Sequence, residues 1–418
     1  MGFHAEATVM KGLAALTGAS ALQAAANAVA GLLATRALGP HERGLMVLGL
    51  TIGSVYGLVG GLGTGAAFRS RLPAARSADA RSSLASAFTW CSAGGLALVV
   101  CLAVATGAMS ARWIDPALGT TGMLVAAACF TAGQHLLTQV PDAWFADGRF
   151  RRGGLSAAAI SAGGLAGVVV ILTVTRSATA VLLAQALGMA LVGAAEVRGL
   201  RLTGLVALTR PHRGEIRSLL RQGTPALGLT VGLVVALRAD RYLLGVAVGA
   251  AAVGVYSLAA TLSEISRLLP AAAGQLYLRA TSTGQGARRL RPTTMFAVGA
   301  ATVCGLAVLA LGWVLIVPVF GPGFGPARPL LAVLAVAEVC LAPYSVASRG
   351  LLGGGWTTAA GVLGACGSVL AVAVYAVSAR AAGALGVALG SVLVYGGLSL
   401  AAGELLRRRV HTRKEAWQ

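Results

Sequence analysis

The chain has 418 residues, 57% of them hydrophobic and 11% charged, with a mean hydropathy of +0.80 and a formal charge of +20. Soluble domains carry about one-quarter charged residues, so this balance excludes a water-soluble fold. It points to an all-α integral membrane protein, in which helices satisfy their own backbone polar groups.

Cutting the sequence at its charges and prolines predicts twelve spans of a length that crosses a ~30 Å hydrocarbon layer as helix. The first, 12–35, is too long for a signal sequence and runs into the polar stretch Arg36 to Arg43 without a small-residue cleavage pattern, so it reads as a retained helix. The second, 44–68, carries Gly57, Gly60, Gly61, Gly63 and Gly65, a pattern suited to close backbone packing or to a hinge. Spans three to six follow at 84–109, 119–140, 154–175 and 177–195. The fourth bears Gln134, His135 and Gln139, a stripe suited to hydrogen bonds between helices. A basic linker, 196–221, comes next, and its end, Arg213 to Arg221, reads as a short interfacial helix or an anchored connection. Spans seven to twelve are 222–245, 254–278, 294–317, 329–348, 356–378 and 383–405. The expected organisation is therefore an N-terminal six-helix lobe (1–195), the linker (196–221), a C-terminal six-helix lobe (222–405) and a basic tail (406–418).

The halves repeat each other. An offset of 210 residues places Gly39 on Gly249, Gly44 on Gly254, Arg69 on Arg279, and the Gly60-Gly61 pair on Pro270, so the second span of each half is expected to bend. Six spans per half is an even number, which makes this a parallel repeat with a pseudo-two-fold axis along the membrane normal.

The positive charge reads as topology rather than as a nucleic-acid surface. With the N-terminus inside, 24 of the 33 Lys and Arg residues fall on cytoplasmic segments, including Lys11, Arg288, Arg413 and Lys414. Six fall in outer loops and three within spans, an asymmetry that puts both termini in the cytoplasm. All six cysteines lie within spans and read as apolar packers rather than a disulfide or zinc framework. The two lysines stand outside any GxxxxGK[ST] loop, which argues against ATP as a fuel bound to this chain. No paired carboxylates or Ser/His/Asp set is visible in the loops, which argues against an enzyme, and no cofactor or metal is expected.

Several short motifs stand in order along the chain: Ala37-Leu38-Gly39-Pro40 followed by Gly44; the Gly148-Arg149-Phe150 turn; Asp240-Arg241 followed by Gly249, Gly254 and Tyr256; and the outer loop Phe320-Gly321-Pro322-Gly323-Phe324. In order and spacing the chain resembles the polysaccharide and O-antigen flippases of the multidrug/oligosaccharidyl-lipid/polysaccharide exporter superfamily. That resemblance implies an alternating-access transporter of the bacterial plasma membrane with a cationic cavity. Its cargo would be an undecaprenyl-diphosphate-linked saccharide moved to the outer leaflet, and its partners membrane lipid and other polysaccharide-assembly proteins. Drug or metabolite antiporters and lipid II flippases belong to the same superfamily, although lipid II flippases usually carry two further helices. A non-catalytic scaffold of a glycan-assembly complex is the alternative from another class.

Charges inside spans are costly and mark candidate sites. Arg238 and Arg241 are three apart on one helix face and would present two guanidinium groups to a diphosphate, with Asp240 beside them. Glu264 and Arg267 share that spacing and could neutralise each other; headgroup binding and structural pairing both remain open for Arg241 and Arg267. Glu338 has no charged neighbour within a turn and is expected to be a lone buried carboxylate, either carrying a coupling proton or cation or hydrogen-bonding as a neutral acid. Asp240 is the second candidate for coupling. Arg36 and Arg43 stand at the outer mouth, where snorkelling is the default explanation and attraction of an anionic headgroup the alternative. Trp144, Tyr242, Tyr256 and Tyr277 are the candidates for sugar stacking or interfacial anchoring.

Overall fold

The computed structural model describes residues 2–282 and 286–415, with side chains for 18–224, 227, 228, 230–282, 286 and 289–409. Lys11, Arg288, Arg413 and Lys414 of the charge pattern lie outside the described side chains. All regular structure among the described residues is helical, as expected, and each of the twelve predicted spans is mostly helix. The chain forms two compact units, one of Met1–Leu38 with Leu45–Leu227 and one of Gly39–Gly44 with Gly228–Gln418.

The first unit contains α1 (Gly2–Ala37), most of α2 (Pro40–Val59), α3 (Thr64–Arg71), α4 (Ala78–Trp113), α5 (Thr121–Ala146), α6 (Phe150–Leu172), α7 (Ala178–Leu202) and the start of α8 (Arg213–Val248). The predicted second span is broken between α2 and α3. Gly63 sits there at φ 70°, and its α-carbon lies so close to the Gly223 carbonyl that any side chain would overlap it. On either side of that break Gly53, Gly57, Gly61 and Gly65, spaced by four, receive Phe130, Gln134, Gln139 and Asp142 of α5. A row of glycines four apart makes a shallow groove along a helix, and the bulkier α5 side chains fill it.

Ion pairs tie the helix ends of this unit together: Arg71 to Glu215 at 2.7 Å, Arg81 to Asp147 at 2.7 Å, and Arg152 to Glu196 at 3.5 Å. The Arg71 pair and the fully buried Leu219 hold the first turns of α8. Arg213 to Arg221 is consequently not a separate interfacial helix but the opening of a continuous 36-residue helix.

The second unit contains the rest of α8, then α9 (Ala250–Ser263), a 3₁₀ turn (Glu264–Arg267), α10 (Leu268–Ser282), α11 (Gly286–Phe320), α12 (Ala327–Gly353) and α13 (Thr357–Glu415). α12 packs against α9, α10, α11 and α13 and forms the centre. Inside α13, Ala382 at φ −145° and Gly383 at φ 55° interrupt the helical backbone between the predicted eleventh and twelfth spans. The α9–α10 break has a chemical cause in Pro270, which has no N–H for the Ser266 carbonyl and whose ring crowds it. The backbone tightens to 3₁₀ just before that point, so each second span departs from regular α-helix near the aligned Gly60-Gly61 and Pro270 positions.

The first turn of α2 belongs to this second unit and shows the repeat in its contacts. Gly44 lies against the Ala250 carbonyl and Gly254 against the Pro40 carbonyl. Residues 40 and 250, and 44 and 254, are partners at the 210-residue offset, so the two contacts are reciprocal. Only hydrogen fits at either glycine.

Eight helical stretches among the described residues are long and apolar enough to cross a membrane, and one of them, Thr357–Arg409, holds two predicted spans. Two of the remaining spans are less uniform for visible reasons: α8 carries Arg238, Asp240 and Arg241, and α9–α10 is broken. On α11, Val303, Leu306, Leu311, Trp313 and Val314 are exposed, which suits a face solvated by lipid rather than by water.

Candidate functional site

α8 buries Ala236, Asp240, Arg241 and Leu244, a stripe of helical period that would ordinarily be wholly apolar. Placing Asp240 and Arg241 on it commits the second unit to finding polar partners for both. The partners come from α9, from the 3₁₀ turn that follows it and from the α8 backbone itself.

Glu264, at the start of the 3₁₀ turn, is reached by both α8 arginines: Arg241 Nη2 donates to Glu264 Oε1 at 2.6 Å, and Arg238 Nη1 lies 3.6 Å from the same oxygen. The shared helix face predicted for Arg238 and Arg241 is therefore real, and a carboxylate occupies it. Arg241 is buried, while the Arg238 side chain is 34% exposed. Arg43, for which snorkelling is the default expectation, is instead 3% exposed. In the first turn of α2 it is enclosed by the unit that turn packs into.

Arg267 does not neutralise Glu264 three residues away. It reaches across to α12 and grips Glu338 with both arms of its guanidinium, Nε donating to Oε2 at 2.9 Å and Nη2 to Oε1. Fork-to-fork geometry of this kind is the strongest arrangement open to an arginine and a carboxylate. Glu338 is thus buried, as expected, but it is not a lone carboxylate: its charge is matched by a neighbour 71 residues earlier in the chain.

Asp240 is bonded differently. Its Oδ2 accepts from the Tyr256 hydroxyl at 2.8 Å, and its Oδ1 accepts from the Arg241 backbone N–H at 2.7 Å. The Tyr256 hydroxyl also lies 3.3 Å from Ser391 Oγ, and Tyr375 donates to the Ala236 carbonyl one turn before Asp240. Hydroxyls and backbone surround this carboxylate where its neighbours have guanidinium groups. The sequence reading missed Ser391 and Tyr375, whose only signal was that polar groups on α13 must face protein rather than lipid.

Three of the four stacking candidates are sealed away, and Tyr242 is half-buried. Tyr256 and Tyr277 are 0% and 1% exposed, and Trp144 is buried beneath Arg149 and Arg152, whose guanidinium carbons sit 5.6 and 5.2 Å from its ring centre. None of these three offers a face to a sugar. In the first unit His135 Nε2 meets Ser92 Oγ at 2.8 Å, linking α5 to α4.

No family model matches the chain, and no curated protein matches it by sequence. Solved structures do match over nearly its full length. An outward-facing multidrug resistance MATE family transporter of the MOP superfamily is 20% identical, covers 97% of this chain and 99% of its own, and superposes with a TM-score of 0.62. A MATE structure in complex with MaL6 is 17% identical, with 97% of each chain covered and a TM-score of 0.64. The lipid II flippase MurJ in an inward closed conformation is 11% identical, with 93% and 86% covered and a TM-score of 0.72. Across two kinds of protein with so little identity the shared property is the fold, and the chain has the all-helical membrane fold seen in these MATE and MurJ structures.

Proposed function

We propose that the chain is a secondary transporter that flips a polyprenyl-diphosphate-linked saccharide from the cytoplasmic to the outer leaflet of a bacterial plasma membrane. The observation that carries this reading is the charged cluster inside the second unit. Three arginines (Arg238, Arg241, Arg267) stand beside three carboxylates (Asp240, Glu264, Glu338) within membrane-spanning helices. Arg238 and Arg241 share a single oxygen of Glu264, so two guanidinium groups in a costly setting have one carboxylate between them. A diphosphate is the anion whose paired oxygens suit forked arginine donors.

Within the cluster the roles divide. Arg238 and Arg241 are the headgroup donors, since their carboxylate partner Glu264 is 28% exposed and open to exchange. Arg267 is a structural partner of Glu338. Asp240 takes the coupling role that the sequence offered to both acids, because the charge on Glu338 is already matched.

The test is flipping of a fluorescent undecaprenyl-diphosphate oligosaccharide in proteoliposomes. The native chain is expected to flip it, and Arg238→Ala and Arg241→Ala to lose transport while eluting as folded protein. A native chain that flips nothing but carries a cationic dye against a proton or sodium gradient would replace this reading with a drug antiporter. The feature favouring that second reading is Asp240 itself, a buried carboxylate bonded to a hydroxyl and a backbone N–H rather than to a guanidinium.

A further inference from the structure

The first unit contains a cavity of about 300 Å³ that plays no part in the function proposed above, lined by Ser20, Gln23, Leu58, Thr138, Asp142 and Phe145 among others. Its polar lining is rich in acceptors. Asp142 contributes a carboxylate, and Ser20, Gln23 and Thr138 contribute side-chain oxygens. Pro141, also in the wall, sits inside α5 and has no N–H, so the carbonyl of Leu137, another wall residue, lacks its helical donor. Leu58 and Phe145 supply apolar surface. Such a lining complements a ligand that brings N–H donors on a cation.

Asp142 already has a cationic neighbour, but a loose one. Arg69 Nη1 lies 3.5 Å from Asp142 Oδ1, against 2.7 Å for Arg71 on Glu215 nearby, and the Arg69 side chain is 45% exposed. The other oxygen, Oδ2, rests against Gly65, where a methyl group would overlap it. An exchangeable arginine beside an accessible carboxylate presents one positive and one negative group a few ångströms apart. Asp142 stands four residues before the end of α5 and Arg69 two before the end of α3, about 6 Å and about 3 Å from those helix ends. In the orientation that the charge asymmetry assigns, this is headgroup depth on the cytoplasmic side.

We propose that this cavity binds the headgroup of an aminophospholipid, phosphatidylethanolamine: the primary ammonium takes Asp142 and the acceptor wall, and the phosphate takes Arg69 as that side chain swings off the carboxylate. A choline headgroup has no N–H to give the acceptors, and a glycerol headgroup has no cation for Asp142.

The experiment is native mass spectrometry and thermal melting of the purified full chain in mixed micelles. The titrants are dioleoyl phosphatidylethanolamine, phosphatidylcholine or phosphatidylglycerol, and, separately, octylammonium. The expected result is at least tenfold tighter binding of phosphatidylethanolamine than of phosphatidylcholine. Asp142→Asn should erase that preference, and Arg69→Gln, at an exposed side chain that leaves the fold intact, should erase the advantage of the phospholipid over octylammonium. Equal binding of the ethanolamine and choline lipids would overturn the proposal, as would a preference that survives Asp142→Asn. Octylammonium binding as tightly as the lipid in the native chain would also overturn it, making the cavity a site for organic cations instead. None of these readouts involves transport, so failure here leaves the flippase reading standing, and the reverse.

Discussion

The pair between Arg267 and Glu338 makes an asymmetric prediction. Glu338 is 3% exposed and Arg267 23% exposed, so the two substitutions leave unequal remnants behind. Arg267→Met strands a carboxylate in a nearly anhydrous core, for which the cost of breaking a buried pair is about 3–5 kcal/mol, reduced to the extent that Glu338 takes up a proton. Glu338→Gln leaves a guanidinium that can still reach water and can still donate to the amide oxygen, so its cost is that of weakened charged hydrogen bonds, about 1.5–3 kcal/mol. The double variant Arg267→Met/Glu338→Gln removes both charges and should lie close to the milder single. At about 2–4 °C per kcal/mol, Arg267→Met should lower the melting temperature by on the order of 10 °C, and the double variant should recover about half of that. The assay is size-exclusion chromatography of detergent-solubilised protein after heating, run as a double-mutant cycle. Additivity of the two singles within about 0.5 kcal/mol would refute the coupling, and a larger loss for Glu338→Gln than for Arg267→Met would refute the burial argument.

Other consequences are as direct. Asp240→Asn should leave a folded chain whose transport no longer responds to a proton or sodium gradient; gradient-dependent transport in that variant would remove Asp240 from the coupling role. Gly44→Val or Gly254→Val places a branched side chain into a backbone carbonyl, so each should cost at least the 1–3 kcal/mol typical of overpacking, read as lost monodisperse protein. Pro270→Ala restores a donor to Ser266 and should slow flipping without lowering the melting temperature, whereas unchanged flipping would make the α9–α10 break a passive bend. On a cysteine-free background, a thiol at Arg76 should react with an impermeant reagent only from the cytoplasmic side and one at Arg176 only from outside; the opposite pattern would invert the topology.

What the sequence shows well is what depends on neighbours along the chain. Lipid-length apolar runs become helices because no other structure satisfies the backbone in hydrocarbon, and all twelve predicted spans are mostly helical. The interruptions also follow from local chemistry, at a glycine run in one half and at Pro270 in the other. What the sequence shows poorly is partner choice. The spacing of Glu264 and Arg267 satisfies the rule for a local ion pair, and each instead finds a partner on another helix. Arg267 engages both oxygens of Glu338, and Glu264 has two arginines of α8 before it. Glu338 looked solitary for the same reason: its partner is 71 residues away. Arg43 was misplaced because its position beside a loop says nothing of the packing of that first turn of α2 onto α9, which only the reciprocal glycine contacts reveal.

These pairings turn the question of headgroup binding into one of exchange. In this structure the two α8 arginines are not idle donors awaiting an anion, because both converge on one oxygen of Glu264. A diphosphate would have to displace that carboxylate, and the geometry favours the displacement beginning at Arg238. Its contact is the longer at 3.6 Å against 2.6 Å, and its side chain is 34% exposed against 6% for Arg241. The released Glu264 would then stand on the same 3₁₀ turn as Arg267, where the two side chains are stacked one above the other. Its negative charge would compete with Glu338 for that guanidinium. Binding at the accessible end of the cluster would thereby loosen the bidentate pair that fastens the α9–α10 break to α12. A flippase needs that order of events, with substrate recognition first and release of the packed helices second. Arg238→Lys gives the means to check it: a lysine keeps the charge but loses the fork, so headgroup binding should persist at reduced affinity. Flipping should fall further than binding does, and equal losses in the two would separate recognition from the conformational step.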